Sequence, residues 1–402
     1  WIKNFDFAGE IKMKRTILFI NGHLEAGGCE RSLTDVLKNI NYDKYEVDLL
    51  LLERRGDYLE EIPQEVNIKL YSLDNAFGSL IPCLKQAIKR RDWFSFSFRI
   101  EYMLGKKVNR FFLGKVKRLF GDLRDRYDVI IAYRPGICTE LAAFTFKGKK
   151  KITWWHHGIM NFSGIALEEL HRSYQKMDCV VAVSESSMAL LTENFPDMKE
   201  KFIVIPNMIV SHELSLKAKM YEAVEFQNTV FKIVTVGRLS AEKNMRLCPE
   251  VAAALKNKGI NFKWVLIGDG EEKRHISNMI AKYNLGENVI MLGTNKNPYP
   301  YIATADVMIH PSLVESQGIT ILESMVLETP VIAVNSAGPR EFIISGINGY
   351  LVVPEVDKIV KLIEKIYKDP ELREKMVENA RETVRRFEPQ YIIKQIEEIL
   401  ET

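Results

Sequence analysis

Residues 310–330 read HPSLVESQGITILESMVLETP, and the fold class follows from this stretch. The segment just before it, Asp306 to Ile309, predicts a short buried strand. After Gly318 the apolar run Ile319 to Leu327 has helical spacing and stops before Pro330. Glu315 therefore falls in a strand-to-helix loop. In a parallel α/β sheet such loops lie at the carboxyl ends of the strands, where ligands bind, and a helix amino terminus favours negative charge. Glu323 is flanked at three and four residues by Ile319, Thr320, Val326 and Leu327, which is not a solvated face. A carboxylate buried there must accept hydrogen bonds. Two partners suit it: a ribose cis-diol, which matches two carboxylate oxygens, or a backbone amide or arginine of the core.

Strands at α/β spacing extend on both sides. Downstream of residue 230 they are Phe231 to Val236, Lys263 to Ile267, Val289 to Leu292, Val307 to Ile309, Val331 to Val334 and Tyr350 to Val352. Upstream they are Thr16 to Ile20, Val47 to Leu52, Val129 to Tyr133, Lys151 to Trp155, Val180 to Val183 and Phe202 to Ile205. The alternation predicts two doubly wound, Rossmann-like units. A length of 402 residues with 47% hydrophobic content supports two good cores. The expected division is an extension at residues 1–12, a first domain at 13–208, a second at 209–386 and a final helix at 387–402 packing back toward the first domain. The polar stretch SHELSLKAKMYEAVEFQN (211–228) reads as linker and lead-in.

The five cysteines are scattered without metal-ligand or redox spacing, and their odd number argues against a disulfide framework, which suits the cytosol. No apolar run approaches the roughly 20 residues that span a bilayer, and the first dozen residues lack a signal peptide's apolar core. The net charge of +3 is unevenly shared: residues 1–208 hold 32 Lys and Arg against 27 Asp and Glu, the remainder 24 against 26. The surplus centres on Lys85 to Arg118, where eleven basic residues, Arg90, Arg91, Lys106 and Lys107 among them, face only Asp92 and Glu101 and are interleaved with aromatics. Such a stretch suits an anionic lipid surface, and equally two amphipathic helices whose aromatics enter the core. Nucleic acid is not expected, since no binding module accompanies a nearly balanced charge.

Arg238 and Lys243 occupy the first strand-to-helix loop of the second unit, a usual place for phosphate contacts, where two cations would neutralise a diphosphate. No Asp-x-Asp pair occurs, so side-chain cations must do the work of a metal clamp. In the first unit NGHLEAGGCERS follows the first strand, and its Gly27 and Gly28 let backbone approach a ligand. Glu30 and Arg31 read as a surface pair. His156 and His157 follow the strand ending at Trp155, at the ligand edge of the sheet, and Ser184 to Ser186 read as a helix cap.

Together GRLSAEKN (237–244), IGDGEE (267–272), HPSLVESQGITILE and AGPREFI (from Ala337), with GGCER and IPN in the first half, resemble glycosyltransferase family 4 over essentially everything after residue 13. The resemblance implies the GT-B fold, two facing Rossmann-like domains with a cleft between them. The donor would bind mainly to the second domain and the acceptor to the first. It implies that Arg238 and Lys243, beside Gly237, hold the donor diphosphate, Glu323 the ribose, and that Glu315 faces the sugar near the reacting carbon. It further implies that the backbone of Gln317, Gly318, Ile319 and Thr320 addresses sugar and phosphates, that Gly27 and Gly28 close on the donor, that Asn207 contributes, and that His157 approaches the transferred sugar. Departures exist: PNMIVSH replaces a common Pro-Asn-Gly-Val-Asp, and Gln317 stands where an aromatic is common.

The implied activity is retaining transfer of a hexose or N-acetylhexosamine from a nucleoside diphosphate sugar, commonly UDP-linked. No metal or other cofactor is implied, and no enzyme nucleophile is required. A glycan or lipid-linked acceptor in cell-surface polysaccharide synthesis would place the chain in the cytoplasm, peripheral on the membrane. A non-catalytic partner subunit of the same fold and a sugar-nucleotide epimerase are the alternatives. The intact cations and paired glutamates argue against both.

Overall fold

The computed structural model describes residues 13–25, 27–70, 80–93, 95–97, 99, 100, 123 and 127–402. The extension at 1–12, Lys106 and Lys107, and most of the basic aromatic stretch lie outside the described residues. Strands β1 (Arg15–Asn21), β2 (Tyr45–Leu51), β3 (Asn67–Leu70), β4 (Tyr127–Ala132), β5 (Gly148–Trp155), β6 (Cys179–Ala182) and β7 (Phe202–Val204) form one sheet in the order β3-β2-β1-β4-β5-β6-β7. Strands β8 (Lys232–Val236), β9 (Lys263–Ile267), β10 (Val289–Gly293), β11 (Val307–His310), β12 (Val331–Val334) and β13 (Tyr350–Val352) form the other, in the order β10-β9-β8-β11-β12-β13. The paired strands of the second sheet run parallel. Helices cover both faces of such sheets, so central strands such as Ile17 to Ile20 and Val307 to Ile309 are apolar and buried on both sides. These are the two doubly wound units that the sequence predicts.

β3 is the strand that the sequence did not announce. Its NIKL is half polar and mostly exposed at the edge of the sheet, so no apolar run marks it. The stretch 211–228 also differs from expectation. It forms a helix, Ser211–Lys217, and a short turn, Val224–Phe226, that send Leu214, Ala223 and Phe226 into the same core as Val234, Ile302 and Leu322. Three apolar side chains at buried positions outweigh a polar average. The last helix, Pro389–Glu401, buries Ile392, Ile396 and Leu400, one stripe at four-residue spacing.

The chain divides into two compact units. One takes residues up to Glu25 with Leu37–Trp154 and Gly164–Cys179; the other takes Ala26–Val36, Trp155–Ser163 and Val180–Thr402. The second unit thus holds the whole six-stranded sheet, the first turns of the helix Gly28–Asn39 and the loop after β5.

Candidate functional site

In the six-stranded sheet the winding reverses between β8 and β11, which pair through Val307 with Ile233 and Met308 with Val234. A crevice opens beyond the carboxyl ends of two such strands, because the connections leave in opposite directions. The loop after β8 carries Gly237, Arg238 and Lys243, and the loop after β11 carries Glu315. The two loops are joined by Leu313 N donating to Glu242 O at 2.9 Å.

Lys243 Nζ reaches both carboxylate oxygens of Glu315, at 3.0 and 2.5 Å. His310, the last residue of β11 and only 4% exposed, places Nε2 3.4 Å from Glu315 Oε1. Burial alone would push the Glu315 carboxyl up, but His310 and Lys243 outweigh it and hold the group at about 2. Glu315 is therefore a fixed anion. Arg238 is exposed, and among the described residues its ion pair is with Glu242 at 3.8 Å, a pair that contributes little and that a phosphate can displace.

Gly318 initiates the helix Ile319–Val326 with φ of +92°, a left-handed conformation that glycine adopts without strain. No side chain caps this helix, so its first amides point into the loop. Glu323 lies in the interior of the helix, 6% exposed, and accepts from Tyr299 Oη at 2.8 Å. Burial raises its carboxyl to about 7 despite the opposing pull of Arg31 and of the Tyr299 hydroxyl.

Arg31 overturns one expectation from sequence. Both it and Glu30 are buried, and Arg31 pairs with Asp35 at 3.0 Å and Glu213 at 3.7 Å rather than lying on the surface. Burial weakens a guanidinium's hold on its proton, but Asp35, Tyr299 and Glu323 more than offset that, so Arg31 stays charged. Arg31, Tyr299 and His310 are the site residues that sequence reasoning missed. Only the four-residue spacing of Arg31 and Asp35 hinted at a pair.

Further loops of the second unit converge here. A Cβ on Gly158 would stand 2.9 Å from the Glu315 carbonyl carbon, so the loop after β5 rests directly on the Glu315 backbone. His157, one residue earlier, packs edge-on against Trp155 and accepts through its carbonyl from Trp155 Nε1 at 2.7 Å. A Cβ on Gly28 would meet Ile319 Cδ1 at 3.4 Å, and Gly27 O accepts from Arg31 N. Asn207 and Gln317 satisfy each other: Asn207 N and Nδ2 both donate to Gln317 Oε1, at 2.9 and 2.6 Å. The Gln317 side chain is thus a brace, leaving its backbone for other work. Ser184 caps the helix Glu185–Asn194 by accepting from Ser187 N, and the Glu341 carboxylate accepts from Glu185 N and Ser186 N, at 3.0 and 2.8 Å. All the expected donor and catalytic residues lie in the second unit. Arg90 and Arg91 do not belong to this cluster and are exposed.

Two Rossmann-like parallel sheets of this topology are the GT-B fold, the fold of a large class of glycosyltransferases. The chain belongs to glycosyltransferase family 4: residues 26–212 match the family described as Glycosyltransferase Family 4, and residues 217–383 the one described as Glycosyl transferases group 1. It is 25% identical over 385 residues to the N-acetylgalactosamine-N,N'-diacetylbacillosaminyl-diphospho-undecaprenol 4-alpha-N-acetylgalactosaminyltransferase of Campylobacter jejuni, covering 94% of this chain and 96% of that one. The chain spans less than half the length of several other relatives, among them an uncharacterized glycosyltransferase of Methanocaldococcus jannaschii, 26% identical over 179 residues that cover 44% of each protein. The crystal structure of Anabaena HepE in complex with UDP-glucose superposes with a TM-score of 0.74 at 21% identity, covering 96% of this chain and 99% of that one. At that identity the likeness is one of fold.

Proposed function

We propose that the chain is a retaining, metal-independent glycosyltransferase that moves a hexose or N-acetylhexosamine from a UDP-sugar to a glycan or lipid-linked acceptor in cell-surface polysaccharide synthesis. The observation that carries this reading is the pairing of Lys243 with Glu315 at the switch point of the second sheet, with a buried carboxylate, Glu323, on the helix that follows. The name of the Campylobacter relative describes sugar transfer to a diphospho-undecaprenol-linked acceptor, and the Anabaena complexes contain UDP and UDP-glucose.

In this reading residues 209–386 bind mainly the donor and 13–208 mainly the acceptor. Glu323 accepts the two ribose hydroxyls, and Arg238 and Lys243 take the diphosphate. As the bond from the anomeric carbon to phosphate breaks, charge grows on the leaving oxygen. The two cations and the amides of Gln317 to Thr320 stabilise it, each such group contributing on the order of 3 kcal/mol to the barrier. The acceptor hydroxyl attacks from the face that the phosphate leaves, and the departing phosphate takes its proton. Glu315 and His157 face the sugar. Gly27 and Gly28 close on the donor, and Asn207 braces the loop through Gln317.

The acceptor end of the reading includes an anionic membrane surface. On the helix Leu80–Lys89 the residues Ile81, Lys85 and Ile88 share one outward face, while Cys83 and Ala87 are buried on the other. Ile81 is 65% exposed, Ile88 51% and the nearby Trp93 64%, and Lys89, Arg90 and Arg91 are exposed beside them. Apolar side chains that enter a headgroup layer, ringed by cations that anionic lipid attracts at about 1 kcal/mol each, make a reversible anchor. Among the described residues no helix is long and apolar enough to cross a membrane.

The test is a thermal-shift and turnover screen of UDP, GDP and ADP sugars. A ligand at 100 times its dissociation constant adds roughly 2.7 kcal/mol, and donor hydrolysis without acceptor reports chemistry. Stabilisation by UDP-sugars with slow hydrolysis is expected. No stabilisation by any nucleotide sugar refutes the reading, and binding without hydrolysis or transfer turns it toward a non-catalytic subunit.

A further inference from the structure

His310 closes β11 with its ring buried, and the reaction as outlined gives it no part. One of its nitrogens is engaged by the site, and the other is buried beside it without a hydrogen bond. Nδ1 stands 3.3 Å from Thr320 Oγ1, in the first turn of the helix Ile319–Val326, and Nε2 stands 3.4 Å from Glu315 Oε1. The ring thus bridges the two ends of the loop that carries Glu315. The bridge also selects a tautomer. If Nδ1 carried the proton of a neutral imidazole, the Nε2 lone pair would face a carboxylate oxygen, which is repulsive. With the Thr320 hydroxyl donating to Nδ1, the proton sits on Nε2, the nitrogen on the Glu315 side.

Glu315 is held in this structure by Lys243, and His310 stands beside it at 3.4 Å. The proposed function asks Lys243 to serve the leaving diphosphate. An ammonium drawn to a phosphate leaves a buried carboxylate short of one partner, and an uncompensated buried charge is strongly disfavoured. We propose that His310 is a positioning residue of the transfer reaction: clamped by Thr320, it holds Glu315 oriented and anionic toward the donor sugar while Lys243 turns to the diphosphate. This rests on the reading of Lys243 and Glu315 as donor contacts. At 3.4 Å the present contact is longer than a good hydrogen bond, so there is room for it to tighten when Lys243 lets go.

Two experiments test this, and the first needs no substrate. In a ligand-free double-mutant cycle at pH 7.5, His310→Phe should lower the unfolding midpoint more in a Lys243→Met background than in the wild type, because only there is His310 the remaining partner. Equal losses in the two backgrounds overturn the proposal whatever the activity turns out to be. The second uses the donor that the wild type turns over best. His310→Phe should cut kcat about ten- to a hundredfold while the donor KM changes less than about threefold. His310→Gln, whose amide N–H can reach the carboxylate, should recover most of the loss, and Thr320→Val should add little to His310→Phe. An unchanged kcat in His310→Phe overturns the proposal, as does a glutamine variant that is no better than phenylalanine. A wild type that neither binds nor turns over any nucleotide sugar instead removes the functional reading on which the second experiment stands, and leaves the substrate-free cycle to decide whether His310 holds Glu315.

Discussion

Replacing Glu323 by Gln should make the ligand-free protein more stable while weakening its grip on nucleotide. The magnitude follows from burial. The carboxyl rises from an ordinary 4.5 to about 7, and each unit corresponds to 1.36 kcal/mol, so ionising Glu323 in the folded protein costs about 3 kcal/mol. A raised carboxyl means that the folded chain keeps a proton which the unfolded chain releases. This contribution to stability therefore falls as pH rises from about 4.5 to about 7, and the full cost is present above that window. At pH 8 Glu323→Gln should gain about 3 kcal/mol, and at pH 5.5 under half of that. For a unit of this size the gain at pH 8 amounts to roughly 6 to 12 °C in the melting transition. Taking the difference between variant and wild type at each pH cancels the other titrating groups. The Tyr299 hydroxyl can still donate to the glutamine carbonyl, so its bond survives. In the same scans UDP should stabilise the wild type more than the variant. A variant less stable than wild type at pH 8, or a gain equal at both pH values, would refute the burial argument, and an equal response to UDP would refute the ribose contact.

Lys243→Met or Arg238→Ala should slow turnover by on the order of 3 kcal/mol in barrier, roughly a hundredfold, and added magnesium should not rescue either. A wild type silenced by EDTA and revived by a divalent metal contradicts the metal-free mechanism. The protein should sediment with anionic but not zwitterionic vesicles, less so as salt rises, and substituting Arg90, Arg91, Lys106 and Lys107 by Ser should release it while donor hydrolysis persists. Indifference to anionic vesicles at low salt would make the exposed Ile81, Ile88 and Trp93 face an ordinary surface.

The sequence made the strands legible because parallel strands buried on both faces are short apolar runs between polar turns, and VMIH and VIAV of β11 and β12 are such runs. It marked the loops carrying Arg238, Lys243 and Glu315 because charge just after a buried strand in a doubly wound pattern is placed by topology alone. What it could not show was which charges meet. Arg31 looks like a surface residue because its neighbours Glu30 and Ser32 are polar, and its buried setting is made by Asp35 one turn along the helix together with Glu213, Tyr299 and Glu323 from distant parts of the chain. His310 ends an apolar strand and reads as core until Thr320 and Glu315 are seen on its two nitrogens. Gln317 was legible as an unusual residue, but its bond to Asn207, 110 residues away, is a fact of tertiary structure.

The two glutamates of the stretch at 310–330 sit on one loop and helix yet lie in opposite electrostatic surroundings. Glu315, at about 2, is stabilised by Lys243 and His310 from above pH 4.5, and that stability is lost only as pH falls toward 2. Glu323, at about 7, is destabilising when ionised because its cation, Arg31, is shared with Asp35 and Glu213 and its one strong hydrogen bond is from Tyr299. A carboxylate in that state is short of donors, and a cis-diol supplies two. Binding the diol would draw the carboxyl back toward its ordinary value and release up to one proton near neutral pH, so nucleotide affinity should weaken as pH drops below 7. No such shift should attend Glu315, whose charge is already set. Of the two glutamates, Glu323 has the carboxylate whose ionisation a bound diol would favour, as the proposed ribose contact requires, and Glu315 has the one whose charge is already set, as its proposed place beside the sugar requires.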